Sequence, residues 1–129
     1  MMTILITCLF LALLLPLLAK GPVAYAMAKL GGYNNNHPRD QQSKLTGFGA
    51  RGLAAHQNAF ESVIIFAPAI ILALTTGNTQ QTIAILAVVH VISRVLYNIL
   101  YLLDFALLRS IVWAIATLCS FAIVFQCIP

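Results

Sequence analysis

The sequence predicts an all-α integral membrane protein, a single-domain bundle of four transmembrane helices. Three observations carry this. Hydrophobic residues make up 61% of the 129 and charged residues only 8%, against about 25% charged in a typical soluble domain. Apolar runs of the length a bilayer needs, about 20 residues each, fit into the chain four times. The breaks between them hold the Gly, Asn and Pro residues that end helices, and most of the Lys and Arg. The net charge of +4, gathered beside loops, is a topology signal and not the footprint of a nucleic-acid binder.

The first span is expected over about Thr3 to Leu30. It is almost wholly apolar as far as Ala19, and Lys20-Gly21-Pro22 predicts a bend. Pro16 is a second place where the helix can kink. Ala24-Tyr25-Ala26 has the form of a signal-peptide cleavage site. No Lys or Arg precedes the apolar run, however, so the segment reads as an uncleaved span. Lys20 either snorkels to the interface or faces a polar groove between helices.

Gly31 to Asp40 reads as the first loop, with Pro38 holding His37 out of helical geometry. Asp40 to Gly49 is polar and reads as a short surface helix or loop. The second span is expected over Leu53 to Leu74. Pro68 lies inside it, tolerated where neighbouring helices satisfy the freed carbonyl. Thr75-Thr76-Gly77-Asn78-Thr79 is a short uncharged turn, so spans two and three form an antiparallel hairpin. The third span is expected over Gln80 to Leu103. Phe105 to Leu108 is a tight connection, and the fourth span follows over Ser110 to Cys127. In it, Thr117 and Ser120 are small polar residues suited to helix packing.

The basic residues Lys29, Arg39, Lys44 and Arg51 lie in or beside the first loop, and Arg109 lies at the third. The positive-inside rule puts both loops in the cytoplasm and both termini on the far side. The three cysteines, Cys8, Cys119 and Cys127, are odd in number and lack metal-ligand spacing, as do His37 and His56. No metal site is expected, and the cysteines read as small hydrophobes.

Polar residues inside the spans mark a candidate site. Arg51, Asn58 and Ser62 lie near one line of the second span, with Glu61 beside it. A carboxylate in a membrane costs a few kcal/mol or more unless paired or hydrated. The bland reading is an interhelical hydrogen-bond clamp; the functional one is a polar-ligand pocket. In the third span His90, Arg94, Tyr97, Tyr101 and Asp104 fall within roughly a quarter of the helix circumference. An interfacial aromatic belt with a snorkelling arginine explains Tyr101 and Asp104. It explains Arg94, well inside the span, poorly. These residues, with Arg109 and Ser110, converge on one membrane depth at the cytoplasmic side. Arginines grip carboxylates with paired hydrogen bonds, Glu61 suits an ammonium, and a cation or hydroxyl near a thiol favours the thiolate. The inventory fits a small zwitterion with several carboxylates. No Ser-His-Asp order, Gly-rich phosphate loop or metal motif is present.

The run Arg51…Asn58-Ala59-Phe60-Glu61…Pro68, the run Arg94-Val95-Leu96-Tyr97-Asn98-Ile99-Leu100-Tyr101, and Leu108-Arg109-Ser110 resemble the family of membrane-associated proteins in eicosanoid and glutathione metabolism, MAPEG. The four-span layout covers essentially the whole chain. Its small size and the loop Tyr33 to Arg39 look most like bacterial members, which implies a bacterial inner membrane. The resemblance implies a homotrimer with glutathione as cosubstrate, bound between subunits at the cytoplasmic side. It implies glutathione contacts for Asn58, Glu61, Arg94, Tyr97 and Tyr101, with Arg51 beside them. It implies thiol activation by Arg109 with Ser110. Ala54 and Gln57 stand where some members carry basic residues.

Three functions follow. The first is a glutathione-dependent transferase or peroxidase acting on lipophilic electrophiles from the bilayer. The second is a non-catalytic membrane lipid-binding or scaffold protein on the same fold. The third is a small transporter or channel component, against which the one-sided polar stripe argues.

Overall fold

A computed structural model describes all residues, 1–129. The chain forms five helices and no strand: α1 (Met2–Ala28), α2 (Pro38–Gln42), α3 (Gly47–Thr75), α4 (Gln81–Leu102) and α5 (Ala106–Gln126). All but α2 are long and apolar enough to cross a membrane. They form a four-helix transmembrane bundle in which α1 packs along α3, α4 along α5, and α3 joins the two pairs.

Helix α3 can serve as this hub because its buried side is built largely of small residues, with Phe66 and Ile70 the exceptions. Gly49, Gly52, Ala55 and Ala59 are buried at three- and four-residue intervals, and Ala69 and Ala73 continue the small-residue side further along. Lipid tails are as apolar as leucine, so close backbone approach, not exclusion from water, holds such helices together. A Cβ on Gly49 would stand 2.9 Å from Cβ of Ala26 in α1 and 3.0 Å from Leu45. Gly49→Ala is therefore expected to push α1 and α3 apart and lower stability by about 1–3 kcal/mol. The midpoint of thermal unfolding in detergent reads this; an unchanged midpoint would contradict the packing.

The helix limits differ from the sequence reading at the starts of α2, α3 and α5. Helix α1 is helical throughout Met2–Ala28, with Pro16 and Pro22 inside it, and His56 in α3 contacts the Pro16 carbonyl through Nδ1 at 2.9 Å. Helix α2 starts at Pro38, a residue pre-set for a helix start. Helix α3 starts at Gly47, ahead of the expected Leu53, and that first turn carries the Gly49 contact. Helix α5 starts at Ala106, so only Leu103, Asp104 and Phe105 turn the chain, with Asp104 at φ 65°. Aspartate is one of the few residues that tolerate the left-handed region.

Each end of the bundle is tied off by one amide. Gln41, buried, donates to the carbonyls of Met27 (3.1 Å) and Gly32 (2.7 Å) and accepts from the Asn34 N–H (2.9 Å). It straps α2 over the end of α1. At the other end, Asn78 donates to the Gln126 carbonyl at 2.8 Å, closing the α3–α4 turn on the end of α5. The apolar core, including Leu5, Phe66, Ile70, Ile83 and Ile123, fills the half nearer the termini. The polar side chains gather in the other half.

Candidate functional site

The α3 carbonyl and side chain of Asn58 form the centre of the site. Arg94 of α4 donates through Nη2 to the Asn58 backbone oxygen at 3.0 Å and to its Oδ1 at 2.6 Å. With Oδ1 taken as acceptor, the Asn58 amide nitrogen is left to donate, and it does so to Glu61 Oε2 at 2.7 Å. Arg94 also lies over the Tyr97 ring, 4.2 Å from its centroid. Tyr97 meets Tyr101 edge-on at 5.5 Å, and Arg109 of α5 lies 4.1 Å over Tyr101. The line Glu61, Asn58, Arg94, Tyr97, Tyr101, Arg109 thus runs unbroken across three helices.

Burial grades along this line. Arg94 and Tyr97 are 3% and 5% exposed, while Glu61 is exposed and Arg109 half-buried. A fully desolvated guanidinium persists in a membrane only when it is met by acceptors and π-faces. Two oxygens of Asn58 and the ring of Tyr97 supply these. One buried donor stays unmet: Arg94 Nε has no partner, nor does the neighbouring acceptor Asn98 Oδ1. Asn98 itself donates to the Arg94 carbonyl at 2.9 Å.

Two cavities share Ser62, His90 and Arg94 as a common wall. One, about 90 Å³, lies among α3, α4 and α5 and is also lined by Asn58, Glu61 and Trp113. The other, about 110 Å³, lies among α1, α3 and α4 and is otherwise apolar, lined by Leu11, Leu15 and Val95 among others. A polar recess and an apolar recess therefore meet back to back at Arg94.

Two expected members stand apart. Arg51 lies about 10 Å from Asn58 along α3, and its Nε donates to the Leu102 carbonyl at 3.2 Å. There it caps the end of α4. Ser110 is exposed, and its hydroxyl donates to Ala106 of its own helix at 3.0 Å. One residue that the sequence placed on the α4 stripe gains a role without having been assigned one. His90, 2% exposed, contacts Ser62, Ser120 and the Ala116 carbonyl. Its position four residues before Arg94 was the available signal. No group of three or more His, Cys, Asp or Glu side chains is placed to hold a metal ion.

A sequence profile of the MAPEG family matches residues 4–129. No curated protein and no solved structure matches the chain. The profile covers every helix that carries the site and nearly all of α1, so the resemblance seen in three short motifs extends along the whole fold. This chain is an integral membrane protein that belongs to the MAPEG family.

Proposed function

We propose that the protein is a glutathione-dependent membrane transferase or peroxidase acting on lipophilic electrophiles. Family membership supports a role of this general kind, in membrane glutathione or eicosanoid metabolism. The observation that carries the finer reading is the unbroken line of contacts from Glu61 to Arg109 across three helices. The donor set fits glutathione. Arg94 Nε is a buried donor without an acceptor, Arg109 offers a second guanidinium for a carboxylate or thiolate, and Glu61 offers a carboxylate for the ammonium. Glutathione supplies the nucleophile, its sulfur.

In this reading the residues divide the work. Asn58 and Arg94 hold each other rigid, so that neither has to reorganise when an anion arrives. Glu61 orients the ammonium end. Tyr97 and Tyr101 form the wall against which both guanidiniums lie, and the Tyr101 hydroxyl is a further donor at that wall. Arg109 stabilises the thiolate, the form that attacks, with Ser110 turning from its own helix to assist. Arg51 is included as a binder only at the cytoplasmic rim. The polar recess of about 90 Å³ is too small for a tripeptide, so the ligand extends over the flank of the protomer. That favours a site completed by a neighbouring subunit of a homotrimer. The apolar recess gives lipophilic molecules a way in from the bilayer. Orientation follows the loop charges: both termini on the non-cytoplasmic side, in a bacterial inner membrane.

Glu61→Ala is expected to weaken glutathione binding by at least about tenfold, since an ion pair with the ammonium is lost. Equilibrium dialysis with labelled glutathione reads it. Unchanged binding would remove Glu61 from the site.

One observation favours the second reading, a non-catalytic lipid-binding or scaffold protein. Ala54 provides no cation, and Arg51, the nearest replacement, is engaged with the end of α4. Glutathione conjugation by the pure protein, lost in Glu61→Ala, would decide against it.

A further inference from the structure

His90 sits where α3, α4 and α5 meet, and each edge of its ring has a defined partner. Nδ1 faces the Ala116 carbonyl at 2.9 Å and the Ser120 hydroxyl at 3.0 Å, both on α5. A carbonyl only accepts, so Nδ1 carries the hydrogen and Nε2 of the neutral ring is left as an acceptor. Nε2 faces the Ser62 hydroxyl of α3 at 3.3 Å. The ring lies flat on Phe66, one helical turn beyond Ser62, at 3.8 Å and 4°. Position and tautomer are both fixed.

The consequence lies one turn back. A serine or threonine inside a helix commonly donates to the carbonyl four residues earlier. Thr7, Ser110, Thr117 and Ser120 all do so in this chain. For Ser62 that carbonyl belongs to Asn58. A carbonyl oxygen has two lone pairs. One takes the helical N–H of Ser62, and the other takes Arg94 Nη2. The Ser62 hydroxyl is instead turned to His90.

We infer that His90 is a positioning residue for the Asn58–Arg94 pair: by accepting the Ser62 hydroxyl, it keeps the Asn58 carbonyl free for Arg94. Without that acceptor the hydroxyl turns back to its own helix and competes with Arg94 for the second lone pair. The role differs from a plain interhelical tie, because what matters is where the Ser62 hydroxyl does not go. Its effect on ligand binding rests on the glutathione reading above; its effect on Arg94 does not.

The test pairs His90→Phe with His90→Phe/Ser62→Ala. Phenylalanine keeps a flat ring on Phe66 and removes the acceptor; the second change removes the competing hydroxyl. In protein labelled with 15N-arginine, the side-chain Nε–H signal of Arg94 (assigned by its loss in Arg94→Lys) reads the pair with no ligand present. Glutathione affinity reads the consequence. His90→Phe is expected to shift the Arg94 signal and weaken glutathione binding roughly five- to tenfold, and the double variant to restore both to within about twofold of wild type. A merely structural role predicts that the second change adds to the damage. A wild-type Arg94 signal in His90→Phe, or a double variant as impaired as the single, overturns the inference. Ser62→Ala alone is expected to leave the Arg94 signal in place, and a shift there also overturns it, even if His90→Phe does not assemble. Absence of glutathione binding to the wild type, with the Arg94 signals behaving as stated, counts against the proposed function and not against His90.

Discussion

Arg109→Ala is expected to lower turnover by about two to three orders of magnitude and to leave assembly and thermal unfolding near wild type. The asymmetry comes from where Arg109 sits. It is half-buried, and its contact within the protomer is the face of Tyr101 at 4.1 Å. A cation–π contact at such a position contributes about 0.5–1 kcal/mol to stability, so its loss is a small structural change. In the proposed chemistry the same guanidinium faces the sulfur at the moment charge develops there, where a fixed cation has its largest effect. The rate of conjugation of glutathione to 1-chloro-2,4-dinitrobenzene, set beside the unfolding midpoint, measures both. Arg109→Lys keeps a cation but loses the flat contact with Tyr101, and is expected to fall between the two. Unchanged turnover in Arg109→Ala would remove its role.

Arg94→Met is expected to fail in the opposite pattern, with stability and binding lost together. The guanidinium is buried, satisfies two oxygens of Asn58 and lies on Tyr97. Methionine fills part of the volume but leaves Asn58 Oδ1 without a donor and the Asn58 carbonyl with the helical N–H of Ser62 alone. An orphaned buried acceptor costs about 1–3 kcal/mol and the lost contact with the Tyr97 ring about 0.5–1 kcal/mol, so a loss of about 2–4 kcal/mol follows. Asn58 then no longer has a fixed orientation, its bond to Glu61 loosens, and glutathione binding drops by more than about tenfold. Arg94→Lys is not expected to rescue, because a single ammonium cannot serve both oxygens and lie flat on the ring. The unfolding midpoint and equilibrium dialysis read the two losses. A variant that unfolds and binds like wild type would show that the Arg94–Asn58 pair carries neither.

The division of the chain into apolar segments was legible because charge and turn residues are confined to the breaks. The α4 side of the site was legible for a similar reason. Arg94, Tyr97 and Tyr101 are conspicuous in a helix otherwise filled with Leu, Ile and Val, and helical spacing alone puts them on one face. The turn of each helix about its axis was much less so. In a membrane the lipid-facing side is as apolar as the core, so α1, with leucines all round, gives no sign of which side meets α3. The pairing of Arg94 with Asn58, the placement of Arg51 on the end of α4 and the inward turn of His90 toward Ser62 and Ser120 all depend on that rotation. The early start of α3 was hidden for another reason. Gly47 and Gly49 fall in the polar stretch Asp40 to Gly49, which reads as a short surface helix or loop, yet Gly49 is buried along α3 and has no room for a side chain against Ala26. The bond of the Ser110 hydroxyl to its own helix is likewise a matter of side-chain rotation that its place after Arg109 in the sequence does not show.

The most direct test is the ultraviolet absorbance of the glutathione thiolate on adding glutathione to the detergent-purified protein, with Glu61→Ala and Arg109→Ala alongside. A thiolate band in the wild type that both substitutions abolish is the predicted result, and it would establish a site that binds glutathione and activates its sulfur. No band and no binding, in a wild-type protein shown to be folded and oligomeric, would contradict the account and leave the lipid-binding or scaffold reading in its place.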